Sequence, residues 1–298
     1  MYRKILVPLD GSEIADIALI YAAETTNALT GVEIDLLHVY NPKEGGLGSM
    51  HKAYIEKSAD EIIKRLDKNA AIKVNSKMTR GNPADKIVRY AQKNKTDIII
   101  MATHGRSGIS RWAMGSVAYK VMRSVKIPIC LVRAGIDEET IRRKAKGRVI
   151  IVPLDGSKKA ESVLPYVKAL VQQYEKDDIE AVLLRICAKP EISSDYPYSM
   201  PMSWEEHVEQ ENIKCKLVAG VYLAEIAKQF KDNGIKVRAE LPIGNPAEEI
   251  IKYDAQSDSR VIIMSTHGRS GISRWAYGSV AESVMLGTQT PVIMVGRQ

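Results

Sequence analysis

A sixteen-residue string, Thr103-His104-Gly105-Arg106-Ser107-Gly108-Ile109-Ser110-Arg111-Trp112-Ala113-Met114-Gly115-Ser116-Val117-Ala118, occurs twice in this 298-residue chain. It returns from Thr266 to Ala281 with one change, Tyr277 in place of Met114. A repeat of that length is the mark of an internal duplication. Each copy follows a short apolar run, Ile98-Ile99-Ile100-Met101 or Val261-Ile262-Ile263-Met264, and precedes a helix-like segment. The string therefore reads as a loop that leaves a buried strand and enters a helix. In an α/β fold this is where anions and nucleotides bind, because the backbone N–H groups of a helix start face outward.

The remaining segments repeat in step. Lys4-Ile5-Leu6-Val7-Pro8-Leu9 is short, β-branched and closed by Asp10-Gly11-Ser12, which fits a buried strand of a parallel sheet. Ser12 suits the N-cap of a helix over 13–29 whose apolar face holds Ile14, Ile17, Ala18 and Tyr21, with Gly31 ending it. Strands follow at 33–39, 71–78, 98–101 and 129–132, and Ile72, Val74 and Met78 are the apolar positions of the third. Helices are expected at 51–69 and from Pro83 to about 93. This β-α-β order predicts a parallel sheet with helices on both faces.

In the second half, Val149-Ile150-Ile151-Val152-Pro153-Leu154-Asp155-Gly156-Ser157 repeats the first strand and turn, and Gly244-Asn245-Pro246-Ala247 repeats Gly81-Asn82-Pro83-Ala84. The spacing between these landmarks is longer in the second half, which locates an insertion near 188–203, followed by a long helix over 204–233. The expected division is a first domain over 1–136, a basic linker over 137–147 and a second domain over 148–298. Arg142-Arg143-Lys144 and Lys146, with Arg148 just beyond, make the linker region the densest basic cluster of a chain whose net charge is +7. A solvated connector is the plainer reading, because no aromatic interleaving accompanies the charge, and nucleic acid is disfavoured as a partner.

The first residues run directly into a strand and no apolar run reaches bilayer-spanning length, so no membrane partner and a cytoplasmic location are expected. Cys130, Cys187 and Cys215 show no metal-ligand spacing. An odd, scattered set reads as thiols of a reducing compartment, with Cys130 a small buried side chain in its strand.

These motifs resemble the universal stress protein family in its tandem two-domain form. The resemblance covers nearly the whole chain twice. It implies two tandem doubly wound parallel five-stranded α/β sheets, Rossmann-like or adenine nucleotide alpha hydrolase-like, paired about a pseudo-two-fold with their final strands covering each other's edges. Homodimers are a further expectation. Nucleotide-binding members of the family carry G-x-x-G-x9-G-[ST]; here Gly105 is followed after nine residues by Gly115-Ser116, and Gly268 likewise by Gly278-Ser279. Ala102 and Ser265 stand where the pattern has its first glycine, each adding a Cβ beside the expected ribose.

The implied ligand is ATP or AMP, with Mg2+ as the accompanying ion, and the implied role is that of a sensor or regulator in stress response. Arg106 or Arg111 would neutralise phosphate charge, Ser107, Gly108, Gly115, Ser116 and Val117 would complete the cradle, and Asp10, Pro8 and Val39 would meet the adenine end. In the second unit Arg269, Ser270, Gly271, Arg274, Gly278, Ser279 and Val280 form the matching loop, facing Asp155, Pro153 and Ile186. No catalytic or metal-ligating set is read. His104 and His267 have no partner carboxylate in sequence and read as polar loop residues, and no P-loop lysine is present. Trp204-Glu205-Glu206-His207 matches no metal spacing and reads as a solvated helix start. Two alternatives stay open: a slow ATP hydrolase, and a nucleotide-free interaction module that docks an unknown protein partner through the 188–203 insertion.

Overall fold

The computed structural model describes residues 2–27, 29–40, 48–67, 71–104, 114–174, 178–188, 202–266 and 278–296. The first half runs β1 (Lys4–Leu9), α1 (Glu13–Thr26), β2 (Val32–Tyr40), α2 (Gly48–Arg65), β3 (Ile72–Arg80), α3 (Pro83–Lys93), β4 (Ile98–Ala102), α4 (Ser116–Ser124) and β5 (Ile129–Val132). After α5 (Glu138–Ala145), the second half runs β6 (Val149–Pro153), α6 (Lys158–Glu161), α7 (Leu164–Gln173), β7 (Glu180–Leu184) and α8 (Trp204–Lys231). It ends with β8 (Lys236–Glu240), α9 (Pro246–Gln256), β9 (Ser259–Ser265), α10 (Ser279–Gly287) and β10 (Val292–Val295).

The ten strands form one sheet in the order β3-β2-β1-β4-β5-β10-β9-β6-β7-β8. Every neighbouring pair is parallel except the central one, where β10 lies antiparallel to β5 with Ile293 opposite Cys130. The sheet is thus two five-stranded parallel halves joined by their last strands, so neither last strand presents an open edge. Side chains alternate along each strand between two apolar layers. Ile98, Ile100 and Ala102 of β4 join the layer that includes α1 and α7. Ile99 and Met101 join the layer that includes α3, α4, α9 and α10.

Several local outcomes depart from the sequence reading. Met78 is 39% exposed, because β3 is an edge strand with only one strand neighbour. The first helix stops at Thr26 with Asn27 as its C-cap, short of position 29. Its counterpart in the second half is split into α6 and α7, with Pro165 in the first turn of α7, where its missing N–H costs nothing.

The basic stretch is an ordered helix rather than a solvated connector. Asp137 caps α5 by accepting from the Thr140 amide at 2.7 Å, and Ile141 is fully buried. Glu138 accepts both guanidinium nitrogens of Arg65 at 2.6 and 3.2 Å, and Arg142 pairs with Glu24 and Glu138. Lys144 turns inward, and burial pulls its ammonium below the usual lysine range. Its Nζ donates to Ser259 Oγ at 2.9 Å and lies 3.6 Å from the Asp254 carboxylate. Ser259, Thr288 and Thr290 all donate their hydroxyls to that carboxylate.

The cysteines also differ from expectation. Cys130 is buried in β5 as expected, but Cys187 and Cys215 form a disulfide that ties the segment just after β7 to α8. Sequence distance concealed this pair, since 28 residues separate the two cysteines. Closing a loop of that length should stabilise the chain by about 2–4 kcal/mol. Reduction, or Cys215→Ser, is therefore expected to lower the melting temperature in a thermal scan, and reductant should have no further effect on the variant. Equal melting temperatures with and without reductant would show that the link carries no stability.

Candidate functional site

In each half the order reverses between the first and fourth strands, β1 and β4 or β6 and β9, and a crevice opens beyond their carboxyl ends. A cavity of about 260 Å3 fills the first crevice. One of about 290 Å3 fills the second. Both are close to the lower bound of about 300 Å3 for small-molecule sites.

The floor of the first cavity is apolar: Leu37 and Val39 from β2, Ile87 from α3 and Met101 from β4. Asp10 stands at its rim, where β1 ends. Its Oδ1 accepts from the Ser12 amide at 3.0 Å and the Ser12 hydroxyl at 2.6 Å, while Gly11 takes a left-handed conformation at φ +86° to make the turn. The second half repeats this construction, with Asp155 Oδ1 accepting from the Ser157 amide at 2.9 Å and Gly156 at φ +85°.

The far wall is the start of a helix. The Gly115 amide donates to Thr103 O at 2.8 Å, which closes the described ends of the long loop. An added Cβ on Gly115 would lie 3.1 Å from that same carbonyl, so the approach favours glycine. Helices α1, α3, α5, α6, α8 and α9 each begin with a Ser, Asn or Asp side chain that accepts an N-terminal amide. Helices α4 and α10 begin on Gly115 and Gly278 with no side-chain cap. Ser116, Val117 and Ala118 line the first cavity, and Ser279, Val280 and Ala281 line the second. The first N–H groups of a helix have no partner within it, so each cavity ends on a set of donors carrying the positive end of a helix dipole.

Of the residues expected at the first site, the structure brings together Pro8, Asp10, Val39, Ala102, Gly115, Ser116 and Val117. At the second it brings together Pro153, Asp155, Ile186, Ser265, Gly278, Ser279 and Val280. Gly105, Arg106, Ser107, Gly108 and Arg111, with Gly268, Arg269, Ser270, Gly271 and Arg274, lie outside the described residues. So do His267, Trp112, Trp275 and most of the 188–203 insertion.

Sequence reasoning missed Thr103 and Tyr40, which also line the first cavity, and His104, read from the sequence as a polar loop residue, lines it as well. Thr103 and His104 follow β4 directly, and that position was the available signal. Tyr40 stacks on His51 at a centroid distance of 5.0 Å. Its structural counterpart in the second half is Cys187, so the two cavities differ beside otherwise matching walls.

His104 Nδ1 lies 3.1 Å from Thr103 Oγ1, while its Nε2 is buried with no hydrogen-bond partner among the described residues. Burial holds this imidazole below its ordinary value of 6.5. Just below that value the unfolded chain binds more protons than the folded one, so the contribution to stability falls as pH drops through 6.5 and levels off below the folded value. His104→Gln is expected to flatten the fall of melting temperature between about pH 7 and about pH 5. An unchanged slope would remove His104 from the acid response.

The universal stress protein family profile matches residues 1–133 and 147–296. The chain belongs to the universal stress protein family. It is 21% identical over 310 residues to universal stress protein Rv2005c of Mycobacterium tuberculosis, spanning 99% of this chain and 97% of the relative. Universal stress protein MJ0531 of Methanocaldococcus jannaschii is 30% identical over 144 residues and matches 45% of this chain with 83% of its own. Among solved structures, a universal stress protein from Archaeoglobus fulgidus superposes over the full length of both chains with a TM-score of 0.69 at 20% identity. The fold is therefore the tandem form of this family. Among the described residues no helix is long and apolar enough to cross a membrane, and no cluster of His, Cys, Asp or Glu suits a metal ion.

Proposed function

We propose that this universal stress protein binds ATP or AMP in both crevices and acts as a nucleotide-dependent sensor or regulator of stress response in the cytoplasm, where adenine nucleotides are available. The observation that carries the reading is the pairing of an apolar pocket with an uncapped helix start, found twice. The flat apolar floor around Val39 and Ile186 suits a base, with Asp10 and Asp155 placed to accept from it or from the ribose. The amides of 116–118 and 279–281, with the Ser116 and Ser279 hydroxyls, suit phosphate oxygens. The described lining holds no lysine or arginine, and Arg106, Arg111, Arg269 and Arg274 of the repeated loop are the cations the sequence offers for that part. Among the described residues, Asp10 is the only carboxylate lining the first cavity and Asp155 the only one lining the second.

The test is to denature freshly purified protein and identify released small molecules by absorbance and mass spectrometry. One or two adenine nucleotides per chain are expected. An empty protein that also fails to take up ATP or AMP with magnesium would overturn the reading in favour of a docking module. A released pool dominated by ADP would point instead to slow hydrolysis.

A further inference from the structure

The crossover helices α2 and α8 are fastened to their halves of the sheet by different chemistry. Helix α2 is packed along its length, with His51 in its first turn, Ile55, Ser58 and Ile62 all buried. His51 holds the end of β2: its Nδ1 lies 2.9 Å from His38 Nε2, and its ring stacks on Tyr40. Helix α8 has no buried side chain from Trp204 to Val218. Its buried residues, Ala219, Leu223, Ile226, Ala227 and Phe230, all lie beyond. The covalent anchor of that outer half is Cys215, bonded to Cys187.

Cys187 stands at a joint of the second crevice. Its neighbour Ile186 lines that cavity, as do Pro246 and Ile250 of α9. The Cys187 amide donates to Pro242 O at 2.9 Å, and the Cys187 carbonyl accepts from the Gly244 amide at 3.0 Å. The link from α8 therefore reaches the turn that leads into α9. In the first half the same joint is closed without a covalent bond, so the fold does not demand one there. What a disulfide adds is a response to electrons. In a reducing compartment such bonds serve chiefly in redox sensing or catalysis. We propose that Cys187–Cys215 is a reducible clamp that sets the order of the outer half of α8 and, through it, the affinity of the second crevice for nucleotide. This rests on the nucleotide reading and the cytoplasmic setting given above. Exposure sets the direction of attack, since Cys187 is fully buried and Cys215 partly exposed. A thiolate of an external dithiol attacks Cys215 Sγ, the Cys187–Cys215 bond breaks, and Cys187 leaves as a thiolate that takes up a proton. The second thiol of the reductant gives up its proton, attacks the mixed disulfide and releases Cys215, which receives a proton. The dithiol ends as a disulfide, oxidised by two electrons, and the protein gains two thiols. Cys130 does not compete, because burial pushes its thiol well above the usual cysteine range.

The experiment follows the full chain oxidised, treated with dithiothreitol, and reoxidised. Alkylation in denaturant should count one thiol, Cys130, in the oxidised protein and all three cysteines after reduction. Hydrogen exchange read by mass spectrometry should be faster over 204–215 in the reduced protein and in Cys215→Ser, with α2 unchanged. ATP is then titrated into Val39→Trp, which fills the first crevice and leaves the second open. Reduction should weaken that binding about tenfold, because the site loses preorganisation, and reoxidation should restore it. Cys215→Ser in the same background should bind weakly and ignore dithiothreitol. Binding to the first crevice, read in Ile186→Trp, should not respond. A protein whose three thiols do not re-form the bond on oxidation would overturn the proposal. So would equal exchange over 204–215 in the two states, or a second-crevice affinity that is the same in both. If ATP and AMP bind neither crevice in either state, the nucleotide reading falls; a persisting exchange difference then upholds the clamp on α8 by itself, and its absence removes both.

Discussion

Replacing Asp254 by alanine is expected to lower the unfolding free energy by roughly 3–5 kcal/mol, the cost of leaving a buried charge without its partner. Three hydroxyls, from Ser259, Thr288 and Thr290, donate to this carboxylate, and the Lys144 ammonium lies beside it. Removing the carboxylate strands all four groups in a site where Asp254 is 3% exposed and Ser259 fully buried. The loss should appear as a lower midpoint in denaturant with an unchanged slope. A companion change makes the cause separable. With Lys144→Met in the background, no buried cation is left unpaired, so the further cost of Asp254→Ala should be smaller. Equal costs in the two backgrounds would assign the loss to the hydroxyls alone, and a loss below about 1 kcal/mol would show the network to be dispensable.

The second large effect concerns the cavities. Val39→Trp should fill the floor of the first crevice and lower its affinity for ATP or AMP by on the order of 100-fold, reducing the stoichiometry from two per chain to one. Ile186→Trp should do the same to the second crevice and spare the first. Calorimetric titration reads both numbers. Because Val39 and Ile186 line open space, their melting temperatures should stay close to that of the parent. Two full sites in the Val39→Trp protein would show that nucleotide, if bound, lies elsewhere. The first crevice, with Tyr40 at its wall, is expected to bind at least as tightly as the second. Asp10→Ala binding more tightly than Asp155→Ala would contradict that order.

The inner strands were legible because they are buried on both faces and read as short apolar runs between turn residues, unlike the edge strands β3 and β8. For β1 and β5 the expected and observed spans coincide. The turns were legible too, since Asp-Gly-Ser and Gly-Asn-Pro each carry their own capping chemistry. What escaped depends on contacts distant in the chain. Helix α5 looked like a solvated connector because its charges dominate the sequence, yet their partners Arg65, Glu24 and Asp254 come from three other helices. The Cys187–Cys215 link escaped because its two strands of evidence in the sequence are single residues with no shared motif. Within the site, the rim and the helix start were readable from the repeated loop. Tyr40 was not, because nothing local says that the last residue of β2 turns toward the crevice.

The antiparallel seam of β5 and β10 has a consequence for how the two halves can diverge. When two separate identical subunits meet edge to edge, dilution parts them, and any mutation strikes both crevices at once. Here the partners share one backbone, so their encounter does not depend on protein concentration. Each half is then free to acquire its own residues behind a common frame. Ala102 faces Ser265 in this comparison, His38 faces Arg185, and Tyr40 faces a disulfide-bonded Cys187. A tandem chain of this design can hold two unequal occupancies in a fixed one-to-one ratio, something a symmetric pair of identical subunits achieves only by breaking its symmetry.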